Sequence, residues 1–271
     1  MKGTLTMNIR RTVCTFLSVS FLAYFCVAQR AAAVSTTDLS DLWWIPSESG
    51  WGIQFVEQGE TIFATMFVYG PDGRPTWYTA TLTIEVFPTF TGTLYATTGP
   101  WFGAIPFDPT QVTLTPVGTM TFNGSDVRFG ALVYTVNGLQ VSKQIQRQTF
   151  ATENFAGTYI GTIRQQGLLN GVPCNPPVSN PGIPASFNIT QNGAAMTVVA
   201  QTSADTCTFP GTFSQSGHFG DLFGNYTCAS GDKGTFHFIE MAASFYDFRA
   251  RTLVVSASGC TINGFANGLL Q

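Results

Sequence analysis

The sequence predicts an all-β protein of two antiparallel meander domains, the second an up-and-down β-barrel of about eight strands. Three observations lead there. Short alternating apolar segments recur every ~8–12 residues, bounded by Gly, Pro, Asn and Asp. Asn123-Gly124, Asn137-Gly138 and Asn192-Gly193 offer the pair that tolerates the positive φ of a tight hairpin turn. No stretch beyond residue 33 carries the periodicity of an amphipathic helix.

Residues 1–33 stand outside that pattern and read as a signal peptide. Lys2, Arg10 and Arg11 make a basic head, Val13 to Ala28 an apolar run, and Ala31-Ala32-Ala33 a small-residue site with cleavage near Ala33–Val34. The apolar run is short for a membrane span of roughly 20 residues. Arg10-Arg11 lacks the flanks of a twin-arginine signal, and Cys26 follows Tyr24-Phe25 rather than the small residues of a lipoprotein site. The expectation is export, to the periplasm or beyond, with no stable membrane insertion once the leader is gone.

The strands follow in order. In the first domain, residues 34–150, the segments are Gly52–Gln58, Thr61–Tyr69, Thr76–Val86, Phe90–Thr97, Gln111–Phe122, Val127–Val136 and Leu139–Phe150. Ala151-Thr152-Glu153-Asn154 marks the boundary. The second domain, residues 153–271, offers Gly157–Gln165, Ala185–Gln191, Ala194–Thr202, Cys207–Ser214, Asp221–Cys228, Gly234–Met241, Asp247–Ser256 and Cys260–Leu270. The stretch Gly167–Pro184 reads as its one long loop. Strands in this simple order can close on themselves and leave no bare sheet edge.

Cysteine usage fits an oxidising compartment. Beyond the leader there are Cys174, Cys207, Cys228 and Cys260, an even number that reads as two disulfides. Zinc is the competing reading, but no C-x-x-C pair occurs and His218 and His237 are isolated. Alternating strand directions put all four at one end of the barrel. Cys207 and Cys228 are symmetric about the turn between Gly217 and His218, and closure brings the last strand beside the first. The expected pairs are Cys207–Cys228 and Cys174–Cys260.

Charge excludes one class of partner. Without Lys2, Arg10, Arg11 and Arg30, eight Lys and Arg face 15 Asp and Glu, a net charge of −7. A mildly acidic chain with no basic cluster is a poor nucleic-acid binder, since phosphates need grouped cations. The outward faces carry Gln, Ser, Thr and Asn rather than the apolar band of an outer-membrane barrel.

Glu48-Ser49-Gly50-Trp51-Gly52, then Phe63-Ala64-Thr65-Met66-Phe67-Val68-Tyr69, then Gly73-Arg74-Pro75-Thr76-Trp77-Tyr78 resemble a repeat of exported bacterial proteins. That repeat has the form E-S-G-W-G, F-A-T-W-F-x-Y and G-x-P-x-W; Met66 stands here where it commonly has Trp. The resemblance covers about forty residues and implies no established activity. The second domain, opening Gly157-Thr158-Tyr159-Ile160-Gly161-Thr162, resembles small barrels of the lipocalin or avidin kind in topology, which implies a cavity without naming its ligand.

The last strand of the first domain carries the clearest candidate chemistry. Gln140, Ser142, Gln144, Gln146 and Gln148 form one face, so Lys143 and Arg147 point inward with Val141 and Ile145. A buried cation needs an acceptor. Glu48 is the first choice of partner and Glu57 the second. With Trp44, Trp51 and Trp77 they describe an anion-recognising, aromatic-lined pocket. The competing readings are an internal salt bridge, or long side chains reaching water at strand ends. The tryptophans, likewise, serve as sugar-stacking platforms or as core.

Enzyme chemistry finds little support. Ser49 lacks the G-x-S-x-G elbow. Glu48 with Glu57 or Asp72 is a carboxylate pair on paper only. The reading is a non-enzymatic exported binding protein for a glycan or small amphipathic ligand, without cofactor or metal. A structural or adhesive surface module is the alternative, and a glycoside or ester hydrolase comes third.

Overall fold

The structure, a computed structural model, describes residues 37–124, 126–174 and 179–271. The expected signal peptide and its cleavage site lie outside them. Ser35–Gln271 form one compact unit that contains two β-barrels.

The first barrel comprises β1 (Asp41–Trp44), β2 (Gly52–Gln58), β3 (Thr61–Tyr69), β4 (Pro75–Val86), β5 (Thr89–Thr98), β6 (Thr113–Asn123), β7 (Phe129–Val136) and β8 (Leu139–Arg147). Each strand pairs antiparallel with the next, and β1 closes the ring on β8 through Trp43↔Arg147 and Trp44↔Gln146. This corrects the expectation of a meander for the first domain: both domains are closed eight-stranded antiparallel barrels. Alternation in the sequence marks seven strands and not β1. With seven alternating strands the first and last run in the same direction. The four residues of β1 restore an even number and let the ends meet antiparallel.

The second barrel comprises β9 (Gly157–Leu169), the two-residue β10 (Val172–Pro173), β11 (Ser179–Asn192), β12 (Ala195–Thr202), β13 (Thr206–Ser216), β14 (Phe219–Cys228), β15 (Lys233–Ala243), β16 (Asp247–Ser256) and β17 (Thr261–Leu270). Pairing of β17 with β9 over Thr261↔Leu168 to Leu270↔Tyr159 closes it, with β10 as an extra edge on β9. Much of the expected loop Gly167–Pro184 is strand. Its period breaks at the register shift between Asn180 and Ile183, which hides the alternation from a sequence reading.

Period-two alternation fills both interiors. In the first, Trp43, Ile53, Phe55, Ile62, Phe90, Phe122 and Ile145 are buried. Trp43 meets Phe122 edge-on at 5.3 Å, and Phe55 meets Phe122 at 4.3 Å. Each such side chain contributes about 1.5–3 kcal/mol by leaving water. In the second, Phe155, Tyr159, Phe187, Phe213, Leu222 and Phe248 do the same. A cavity of ≈ 30 Å³ remains between Phe187, Phe209, Phe238 and Thr252. That is room for water, far below the ~300 Å³ of a small-molecule pocket. The second barrel is essentially filled.

Both expected disulfides are present. Cys207 and Cys228 are register partners with Cα atoms 4.0 Å apart, and Cys174–Cys260 spans 5.9 Å. Strand direction puts all four at the end of the second barrel where β13, β15 and β17 begin. The opposite end, with the β13–β14 turn, meets the first barrel.

Candidate functional site

Strand direction also sorts the first barrel's loops. Residues 45–51, 70–74, 99–112 and 137–138 cap the pole away from the second barrel, while residues 59–60, 87–88, 124 and 126–128 cap the pole that faces it.

At the outer pole, Pro46–Glu48 form a single 3-10 turn that swings the chain across the mouth and presents Glu48. Lys143, inward on β8, reaches up to it, with Nζ 2.8 Å from Oε1 and 2.6 Å from Oε2. The Trp51 indole N–H donates to Oε2 of the same carboxylate at 3.0 Å. Lys143 Nζ in turn sits 5.8 Å from the Trp51 ring centre. The hydrogen bond from Lys143, then that from Trp51, hold the Glu48 carboxyl below its ordinary value. Tyr134 lies within the field of both charges and of Tyr78, and burial pushes its phenol up. The mouth thus holds a neutralised ion pair, an indole face and two phenols, with Glu48 41% and Lys143 27% exposed.

Arg147 is not brought to this cluster. Four residues along a strand are about 13 Å, so Lys143 at one pole leaves Arg147 at the other. There it is 1% exposed. Its Nε donates to Val127 O at 2.5 Å, Nη2 to Asp38 O at 2.6 Å, and Nη1 to Ser40 O at 3.1 Å and Asp41 Oδ2 at 3.0 Å. The guanidinium stacks between Trp43 at 4.6 Å and Phe219 of the second barrel at 4.9 Å. Burial lowers its pKa against the pull of Asp41. Four of its five N–H groups are engaged, which makes Arg147 part of the joint between the barrels.

The other expected residues divide as follows. Trp44 points off the outer wall of β1, opposite Gln146, and its indole nitrogen is buried without a hydrogen-bond partner. Trp77 also faces outward, 48% exposed, opposite Phe67 and near Tyr69 on β3. Neither joins Trp51 in the lumen. Glu57, the second choice for a cation, accepts from the Leu39 backbone N–H instead. An anion pocket of Lys143, Arg147 and three tryptophans is therefore not assembled, because one cation is neutralised and the other lies at the far pole. Tyr78 and Tyr134 escaped the sequence reading; their position, inward and near a strand end beside Lys143, was the available signal.

Outside the mouth, the two histidines each face an aspartate at the joint. His218 Nδ1 lies 2.9 Å from Asp41 Oδ2, and His237 Nε2 lies 3.5 Å from Asp221 Oδ1, an ion-pair distance too long for a good hydrogen bond. Asp205 gathers near Cys207 and Cys228, but sulfurs committed to a disulfide are not thiolate ligands. No helix among the described residues is long and apolar enough to cross a membrane. No protein-family model matches the chain, and no curated protein matches it.

Proposed function

We propose that this is an exported, non-enzymatic binding protein whose ligand, an uncharged glycan, docks at the outer mouth of the first barrel. One observation carries the reading: the Trp51 ring stands beside a Glu48–Lys143 pair that is already neutral. A charged ligand gains nothing from a cancelled pair. A sugar ring offers the mouth C–H groups to lie on the indole and hydroxyls to exchange hydrogen bonds with carboxylate and ammonium. The interior of the second barrel offers no competing site, since its ≈ 30 Å³ cavity holds no sugar. Export rests on the leader, the two disulfides and the resemblance of the Glu48–Tyr78 motifs to an exported repeat.

A panel of neutral hexasaccharides (chito-, cello- and malto-hexaose), read by intrinsic tryptophan fluorescence, tests it. A saturable shift with one of them is expected. Silence toward all, with the fold intact, returns the protein to the structural or adhesive reading.

A further inference from the structure

The β5–β6 connection, residues 99–112, exposes more apolar surface than any comparable stretch among the described residues. Trp101 is 69% exposed, Phe102 88%, Ile105 98% and Phe107 51%. The loop is held in shape rather than collapsed. Asp108 accepts from Thr110 N, Thr110 Oγ1 and Gln111 Nε2 at its base, and Ala104 N–H donates to Trp101 O at its tip. The Trp101 indole lies across Gly103, where an added Cβ would sit 2.4 Å from a ring carbon. Trp101 is thereby folded back as a shoulder, while Phe102 and Ile105 project.

We propose that this loop inserts reversibly into the interfacial layer of a phospholipid bilayer and seats the first barrel's outer pole on a lipid surface. The tip leaves Phe102 and Ile105 almost wholly exposed with the Trp101 indole 5.5 Å from the Phe102 ring, hydrocarbon and indole together being the groups a bilayer interface takes. Pro100, Pro106 and Pro109 remove backbone N–H donors that would otherwise lose water on entering an apolar layer. The segment's one charge, Asp108, is held at the loop's base by Thr110 and Gln111, behind an uncharged stretch from Trp101 to Phe107, so the loop brings no cation to an anionic surface and suits a zwitterionic one. The four side chains offer roughly 600 Å², at 150–250 Å² for a whole aromatic, against the ~800 Å² per partner of a stable protein interface. A second copy of the chain is the less fitting occupant. The contact is peripheral and requires no spanning element.

The test is flotation of Ser35–Gln271 with neutral phosphatidylcholine vesicles, beside sedimentation equilibrium without lipid. The protein is expected to float with the vesicles at low and high salt alike. Phe102→Ser/Ile105→Ser, both fully outside the core, should keep its urea midpoint and lose roughly tenfold in partitioning per side chain. Brominated lipid should quench a share of the fluorescence that Trp101→Phe removes. Failure of the parent protein to float, or flotation that survives the double substitution, overturns the proposal. So does a loop-dependent dimer in place of vesicle binding, which would make a second copy the occupant. The inference stands apart from the glycan reading, since Trp51→Leu should leave flotation unchanged.

Discussion

Asp41 Oδ2 accepts from Arg147 Nη1 at 3.0 Å and lies 2.9 Å from His218 Nδ1, so one carboxylate ties the closing strand of the first barrel to a hairpin tip of the second. Because Arg147 is buried with each guanidinium nitrogen engaged, its loss strands Asp41 and three carbonyls. Arg147→Met should cost about 3–5 kcal/mol, and Arg147→Lys should recover little, since an ammonium cannot reproduce the planar fork. Urea unfolding measures both. A cost below about 1 kcal/mol would remove Arg147 from the joint.

The two aspartates at the joint should respond to pH in opposite senses. Burial raises Asp41, but the hydrogen bonds from His218 and Arg147 bring it net below its ordinary value of 3.8. Its contribution is full above 3.8 and is lost as pH falls through the lower folded value. For Asp221, burial dominates over His237 and Arg128 and the net shift is upward. Stability therefore falls as pH rises from 3.8 through its higher folded value. At pH near 7, Asp41→Asn should cost about 1–3 kcal/mol, while Asp221→Asn should be neutral or stabilising. Urea midpoints at neutral pH decide; equal losses for both would contradict the difference in environment.

Gly217 sits at φ +62 at the tip of the β13–β14 turn, and a Cβ there would approach Asp41 Oδ2 to 2.1 Å. Both the left-handed backbone and the contact resist a side chain. Gly217→Ala should lower stability by about 1–3 kcal/mol, whereas Gly193→Ala, with φ +60 but no atom within 4 Å, should cost only the backbone part. Thermal melts of the pair separate strain from contact.

Removing the disulfides should not be equivalent. Cys207–Cys228 closes a separation of 21 residues and Cys174–Cys260 one of 86. Chain entropy makes these worth about 3.4 and about 4.6 kcal/mol. Replacing Cys174 and Cys260 by Ser should therefore destabilise more than replacing Cys207 and Cys228. The reverse order would show that the inner pair's strand register, not loop closure, dominates.

Much of this was legible from alternation. A Gln-and-Ser face on β8 placed Lys143 inward, and Glu48 was the carboxylate that a turn at the barrel mouth could offer it. Hairpin symmetry gave Cys207–Cys228, since a turn centred between Gly217 and His218 dictates register. What alternation does not carry is height along the barrel axis. Lys143 and Arg147 share a face yet serve opposite poles, and only the strand's rise separates them. Nor does it reveal β1, whose four residues are too few to show a period and which pairs with a partner 104 residues away at Trp43↔Arg147. Exposure is the other gap. Trp101 and Phe102 have the composition of a core segment, and the structure leaves them bare because the loop spans a pole where no strand covers it.

The most direct test of the account is calorimetric titration of Ser35–Gln271 with chitohexaose and cellohexaose, beside Trp51→Leu and the outer-wall variant Trp77→Leu. The account predicts binding of one sugar that Trp51→Leu weakens at least about tenfold and Trp77→Leu leaves within about twofold. No heat from either sugar, or binding that survives Trp51→Leu and disappears with Trp77→Leu, would contradict it.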